Sequence, residues 1–318
     1  MDNKQKTILV IGASGGIGGA VAYNMARRGW RVIGLSRVER PAQFGVEWRI
    51  GDAMSAEDLI RAAEGVGVIF YGANPPKYKN WDKVCLPMVK NAIAAAEAVG
   101  ARLAFPGTVY NFDIDVTGEL VAEDAPQHPK TRKGAIRVAM EAELEAFAQR
   151  GGRVLIIRAG DYFGSNVANS WFQGALIKPG KEVGSITYPG APELSHAWAF
   201  LPDVAETFGR LLDREAELGA FERFHFEGHW MSGDQMADAL RRAAKKPDAP
   251  VKRFPWWAVV LTSPFVGLFR EMLEMRYLWQ KPLRLDNRKL TAFLGAEPHT
   301  PLEEALRYAL VRVGSLAA

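Results

Sequence analysis

The chain has 318 residues, a formal charge of +4, 48% hydrophobic residues and 24% charged residues. This length supports one large domain or two modest ones, and the composition excludes global disorder. Its Lys and Arg residues are scattered, which argues against a nucleic-acid partner, and Cys85, the only cysteine, excludes an intrachain disulfide and suits a reducing, cytoplasmic setting.

In chain order, the opening segment MDNKQKTILVIG lacks the long apolar core and cleavage site of a signal peptide and leads straight into a strand over 7–12. GIGGAVAYNMARRG reads as a helix closed by Gly29, and RVIGL (31–35) as the second strand. VEWRIGD (46–52) is a third strand, AEDLIRAAEG a helix and VGVIFYG (66–72) a fourth strand. A long helix near 82–99, a strand over 102–107, a helix from about Thr131 and a strand over 153–160 follow. Strands separated by helical segments predict parallel pairing through right-handed crossovers, hence an α/β, doubly wound parallel sheet.

The second half is less regular. HFEGHWMSGDQMADALRRAAKK predicts a strand and then a helix with Ser232 as N-cap; TPLEEALRYALVRV predicts a terminal amphipathic helix with Pro301 in its first turn. The expected division is 1–165 for nucleotide binding and 166–318 for a smaller, mainly substrate-binding region, with a strand near 222–227 returning to the sheet. FPWWAVVLTSPFVGLF (254–269) is apolar for 16 residues but broken by Pro255 and Pro264, short of the about 20 residues a spanning helix needs. It is read as a buried helical pair or pocket wall, with an interface-lying anchor or dimer contact as the other readings, and membrane contact is not expected. Phe254, Trp256, Trp257, Phe265, Phe269, Met272, Met275, Tyr277 and Trp279 cluster here, as core packing or as the lining of an apolar pocket.

Between the first strand and first helix, Gly12, Gly15 and Gly18 have the spacing G-x-x-G-x-x-G, with Ser14, Gly16 and Ile17 interleaved. Glycine permits a tight turn, close approach of backbone to a pyrophosphate and packing of helix on strand, while the helix N-terminus offers free N–H groups and its positive dipole end. Gly51, Asp52 and Ala53 end the third strand, where a carboxylate can accept from an adenine amino group. Tyr71, Gly72, Ala73 and Asn74 end the fourth, and Ala159 and Asp161 lie in RAGDYFG at the end of the sixth. Where an NAD site usually carries an acid, 18 residues past Gly18, stand Ser36 and then Arg37. A hydroxyl and a guanidinium suit a 2′-phosphate, so NADP is the expected cofactor, with NAD as the alternative; Arg40 is a helper or merely solvated.

With these segments the chain resembles the short-chain dehydrogenase/reductase superfamily, specifically its NAD-dependent epimerase/dehydratase branch. The resemblance rests on the glycine turn, GDAMSAEDL, FPGTVYNF, RAGDYFG and HAWAFLPDVAETF, the last similar to an aspartate-capped helix start at Asp203. It implies a Rossmann sheet, hydride transfer on a small organic substrate, and a homodimer as one possible assembly. It also implies a Ser or Thr after the fifth strand and a Y-x-x-x-K pair in which Tyr is the general acid/base and Lys holds the nicotinamide ribose. Here the sequence departs. Pro106 stands where the hydroxyl belongs, Thr108 is a shifted substitute, and Pro129 lies four before Lys133 where the tyrosine should be. Lys133 is then the expected ribose ligand and, if desolvated, the proton shuttle, similar to isoflavone-reductase-like members. Thr108 and Tyr110 complete the candidate catalytic set, and Arg137 is a possible support. No metal site is expected from His225 and His229, and His128, His196 and His299 read as isolated. An NADP-binding sensor or scaffold that has lost catalysis is the alternative function.

Overall fold

A computed structural model describes residues 6–75, 80–164 and 170–317. The first five residues of the segment read as lacking a signal peptide lie outside them, as does the domain boundary expected near residue 165. In chain order the strands are β1 (Thr7–Ile11), β2 (Arg31–Ser36), β3 (Val46–Ile50), β4 (Val68–Tyr71), β5 (Arg102–Thr108), β6 (Leu120–Val121) and β7 (Arg153–Ala159). They continue as β8 (Asp161–Phe163), β9 (Ile186–Tyr188), β10 (Ser195–Phe200), β11 (Phe221–His225), β12 (His229–Ser232), β13 (Val251–Arg253) and β14 (Arg284–Leu285). The helices are α1 (Gly16–Arg27), α2 (Ala56–Ala62), α3 (Trp81–Val99), α4 (Ile114–Thr117), α5 (Arg132–Gln149) and α6 (Leu201–Asp213). After these come α7 (Gly233–Ala244), α8 (Trp256–Thr262), α9 (Gly267–Glu274), α10 (Arg288–Leu294) and α11 (Leu302–Arg312).

The central sheet runs β11-β7-β5-β4-β1-β2-β3, with every pairing parallel. All five residues of β1 are buried because both faces of the sheet are covered. Period-two alternation splits them: Ile8 and Val10 pack with Val21, Met25, Phe70 and Phe208, and Leu9 and Ile11 with Leu59, Val89, Ile93 and Leu144. Successive strands step outward from β1 through β2 to β3, and in the other direction from β4 through β5 and β7 to β11. The order therefore reverses between β1 and β4, where open α/β sheets leave a crevice at their carboxyl edge. A third core, with Phe163, Trp171, Phe172, Trp198, Leu240, Trp279 and Leu310, is built mainly from the C-terminal region and takes in Val109, Phe112 and Val121 from the first half.

Several local expectations change. The stretch HFEGHWMS is two strands, since Gly228 at φ +68° turns the chain between β11 and β12. Ser232 does cap α7, in a reciprocal capping box with Gln235. Asp203 is not a cap: α6 starts at Leu201, and the buried Asp203 carboxylate accepts from the N–H and hydroxyl of Thr300, both at 2.7 Å. Pro301 stands just before α11 as its N-cap residue, not inside its first turn. Cys85 is buried in α3. The segment 254–269 is not simply buried, because α8 and the turn into α9 expose Trp257, Leu261 and Phe265. No helix among the described residues is long and apolar enough to cross a membrane.

Helices α1 and α6 are joined by a charged network. Glu206 accepts from Asn24 at 3.0 Å, Arg28 at 2.5 Å and Arg210 at 2.8 Å, while Arg28 also pairs with Asp213. Burial works against the Glu206 carboxylate, but these donors prevail and bring its pKa down to about 2. A carboxyl depressed in the folded state contributes stability above its ordinary value of 4.5, and that contribution fades as pH falls toward about 2. Glu206→Gln is expected to cost about 1 kcal/mol at neutral pH, a melting midpoint lower by about 2–4 °C. Stability of the variant should also vary less with pH over that acid window, as measured by urea unfolding against pH.

Candidate active site

At the crevice three backbones touch. Gly12 turns the chain after β1 at φ +88°. A Cβ on Gly12 would lie 2.8 Å from the Gly72 carbonyl, and one on Gly18 only 2.2 Å from the Gly12 oxygen. A Cβ on Gly72 would in turn meet the Gly18 Cα at 3.2 Å. Helix α1 begins with Gly15 as N-cap and no side-chain cap. Its first-turn N–H groups are therefore unspent on side chains at the positive end of the helix dipole. Ser14 and Gly15 are exposed, and Gly16 and Ile17 are partly exposed beside them. These features fit a dinucleotide pyrophosphate: the donors are open, and the space that side chains would fill is kept clear.

At the carboxyl end of β2, the Ser36 hydroxyl accepts from the Arg40 Nε at 3.0 Å. Arg40, though exposed, also lies over the Trp48 ring at 5.2 Å, so its guanidinium has partners on both β2 and β3. Arg37 is exposed next to it, with no ion-pair partner among the described residues. The Gly51 N–H donates to the Ser36 carbonyl at 2.9 Å, tying the ends of β2 and β3 together. One Asp52 oxygen accepts from the Met54 N–H at 2.9 Å, and the Ala53 carbonyl accepts from Asn91 at 3.1 Å. Of the fourth-strand residues, Gly72 and Ala73 are partly exposed and Asn74 is exposed. The Tyr71 side chain points elsewhere: it is buried, stacked on Phe105 at 5.8 Å, and burial raises its phenol well above the usual tyrosine range.

The catalytic candidates gather around the ends of β5 and β7, where Thr108 pairs in register with Ala159. The Thr108 hydroxyl accepts from the Tyr110 N–H at 3.3 Å and donates to Asn111 at 3.4 Å, so it caps the turn after β5. Tyr110 is half-buried between two core clusters. Pro106 offers its carbonyl to Arg137 at 3.4 Å, and that guanidinium lies over the rings of Trp81 and Phe105. Helix α5 starts at a Thr131 cap that accepts from the Gly134 N–H at 3.0 Å. A Cβ on Gly134 would lie 2.3 Å from the Tyr110 carbonyl, so the first turn of α5 is pressed against the candidate loop.

Lys133 in that turn is fully buried, as a desolvated shuttle would be, but its amine is not left unpaired. The ammonium donates to Glu274 at 2.7 Å and to the Glu271 carbonyl at 3.2 Å, and it also pairs with the Glu271 carboxylate. The Lys133 N–H donates to the second Glu274 oxygen at 2.8 Å. Carboxylates at a helix N-terminus meet both the dipole and the orphan donors, which explains why α9 seats here. Burial opposes the Glu274 carboxylate, yet the Lys133 side chain and backbone donors hold its pKa below the ordinary range.

Asp161, one of the expected cofactor residues, and the nearby Arg158 take partners that had no local signal. The Asp161 carboxylate accepts from the His196 Nε2 at 2.7 Å, and the imidazole stacks on Trp279 at 3.9 Å. This pair lines a small cavity with Val109, Gly160, Ala197, Leu278 and Leu283, so His196 is not isolated. Beneath the site, Arg158 and Glu141 form a buried bidentate pair at 3.0 and 2.6 Å. Asn111 donates to the same carboxylate at 3.0 Å. His225, 3.2 Å from Arg158, is held neutral by burial and by that guanidinium, which bring its pKa down to about 3. No group of three or more potential metal ligands occurs among the described residues.

The comparisons with known proteins agree with this fold. UDP-N-acetylglucosamine 4-epimerase from Bacillus cereus superposes with a TM-score of 0.75 at 15% identity, covering 96% of this chain and 99% of that one. UDP-glucose 4-epimerase from Thermus thermophilus, in complex with NAD, gives 0.73 at 20% identity over 96% and 98%. At these identities the likeness concerns the fold. Mouse (Mus musculus) sterol-4-alpha-carboxylate 3-dehydrogenase, decarboxylating, is 33% identical over 78 residues, 24% of this chain. The match spans only 22% of that protein's length. The profile of the NAD dependent epimerase/dehydratase family matches residues 8–225, more than half of the chain. The protein thus belongs to the NAD-dependent epimerase/dehydratase family, enzymes built around a nicotinamide dinucleotide on a Rossmann sheet.

Proposed function

We propose that this family member is an NADP-dependent oxidoreductase or epimerase-like enzyme that transfers hydride to and from a small organic substrate. The observation that carries the reading is the side-chain-free contact of Gly12, Gly18 and Gly72 beneath an uncapped α1. Gly12, Ser14, Gly15, Gly16, Ile17 and Gly18 hold the pyrophosphate. Ser36 and Arg37, steadied by Arg40, take the 2′-phosphate, and Asp52 faces the adenine with Gly51 and Ala53 shaping its seat. The backbone of Tyr71, Gly72, Ala73 and Asn74 and the strand-end residues Pro106, Ala159 and Asp161 line the path toward the nicotinamide, which supplies or accepts the hydride when bound.

On the substrate side, Thr108 and Tyr110 set the orientation, and Lys133 passes the proton. The contact at 2.7 Å from Lys133 to Glu274 gives that proton an outlet, since Glu274 also lines an open groove with Lys130, Thr131, Arg132 and Tyr277. The relatives are named for 4-epimerisation of UDP-sugars and for 3-dehydrogenation of a sterol carboxylate, and a secondary alcohol or its ketone is the substrate class this reading takes. A silent NADP sensor finds no support in the family assignment.

Three measurements check the reading. Gly18→Ala should weaken NADP binding by at least about tenfold in calorimetry, because its methyl must displace the Gly12 carbonyl. Arg37→Glu should lose about 10- to 100-fold in NADP affinity and little in NAD affinity, the worth of a charged hydrogen bond; unchanged preference would remove Arg37 from the site. Lys133→Ala should lower kcat by about 10²–10⁴-fold while the cofactor still binds, and undiminished turnover would end its role as proton relay.

A further inference from the structure

The segment 254–269 contains no Asp, Glu, Lys or Arg. It folds into α8, a turn at Pro264–Val266 and the start of α9. Six of the exposed large apolar side chains among the described residues fall within it: Trp257, Val260, Leu261, Phe265, Val266 and Leu268. Trp257 is 75%, Leu261 69% and Phe265 89% exposed, with the highest value at the turn between the two helices. The charges beside this tip are arranged by sign. Lys252 and Arg253 are exposed on β13 just before it, and Arg270 is exposed on α9 just after it. The acids that follow, Glu271 and Glu274, are turned to Lys133 and Arg132. The tip therefore offers apolar and aromatic surface to water with a cationic border.

We propose that this tip docks the protein on the surface of an anionic lipid bilayer. Aromatic and aliphatic side chains on short amphipathic elements insert to the depth of the headgroup boundary, and basic residues beside them are drawn to anionic headgroups. Charge selects this occupant over a second copy of the chain. A two-fold contact through the tip would gather Lys252, Arg253 and Arg270 of both copies around one interface, with Glu271 and Glu274 already engaged by Lys133 and Arg132. Two helices of 7 and 8 residues also offer little of the roughly 800 Å² per partner that a stable interface buries. The docking needs no particular cofactor or chemistry at the cleft, so it stands apart from the proposed reaction.

The test is co-sedimentation of the full chain with vesicles of phosphatidylcholine alone and of phosphatidylcholine mixed with phosphatidylserine. The protein is expected to pellet with the mixed vesicles, and pelleting should fall with added salt. Phe265→Asp combined with Leu261→Asp should abolish it, with the melting midpoint and cofactor binding unchanged because both side chains are already in water. Lys252→Glu and Arg253→Glu should each weaken partitioning roughly fivefold or more. Wild-type protein remaining in the supernatant with both vesicles would overturn the proposal. So would a dimer, seen by light scattering, that Phe265→Asp splits into monomers, since the face would then belong to a second copy.

Discussion

The functional half of this molecule depends on one steric constraint, the meeting of three glycine backbones at the reversal of strand order. Gly18 brings the first turn of α1 onto the Gly12 carbonyl, and Gly72 brings the end of β4 against both. Any β-carbon there would push the helix off the sheet by more than a van der Waals adjustment. The same contact leaves the N-terminus of α1 aimed across the crevice with its donors unspent. Helix packing and the exposure of those donors are thus two results of one arrangement, and neither can be varied without the other.

The region around the ends of β5 and β7 is organised by charge in a dry setting. Glu141 and Arg158 are fully buried, and their pairing is completed by Asn111 and His225 beneath the loop that follows β5. A buried ion pair adds little net stability, but loss of one partner leaves an uncompensated charge, at a cost of about 3–5 kcal/mol. Such a network holds its members in one geometry. The loop bearing Thr108 and Tyr110 sits on that platform, and α5 is pressed against it through Gly134. Lys133 then joins the two halves of the chain, since its amine and its N–H both reach carboxylates of α9.

Much of the sheet was legible in the sequence because its signals are local. A buried parallel strand is a short apolar run, a crossover helix is periodic, and the glycine spacing after β1 restricts backbone shape within a few residues. Ser232 announced its helix for the same reason. Other readings failed where partners are distant. The family resemblance implied a helix cap at Asp203, yet its ligand is Thr300, 97 positions away. His196 looks solitary until Asp161 and Trp279 are placed around it. Glu271 and Glu274, three residues apart, drew no expectation from the sequence, and both turn inward to Lys133.

The sequence by itself determined the doubly wound sheet, the glycine turn that suits a pyrophosphate and the absence of the usual tyrosine, because each is a matter of residue type at short spacing. Only the tertiary structure decided that Tyr71 belongs to the core, that Arg40 is anchored on Ser36 and Trp48, and that Lys133 is held between two carboxylates. It also decided that the aromatic segment after residue 254 is divided between a buried nest and an exposed tip. These are contacts between elements far apart in the chain. Burial and charge pairing depend on what covers a side chain, and no local pattern carries that information.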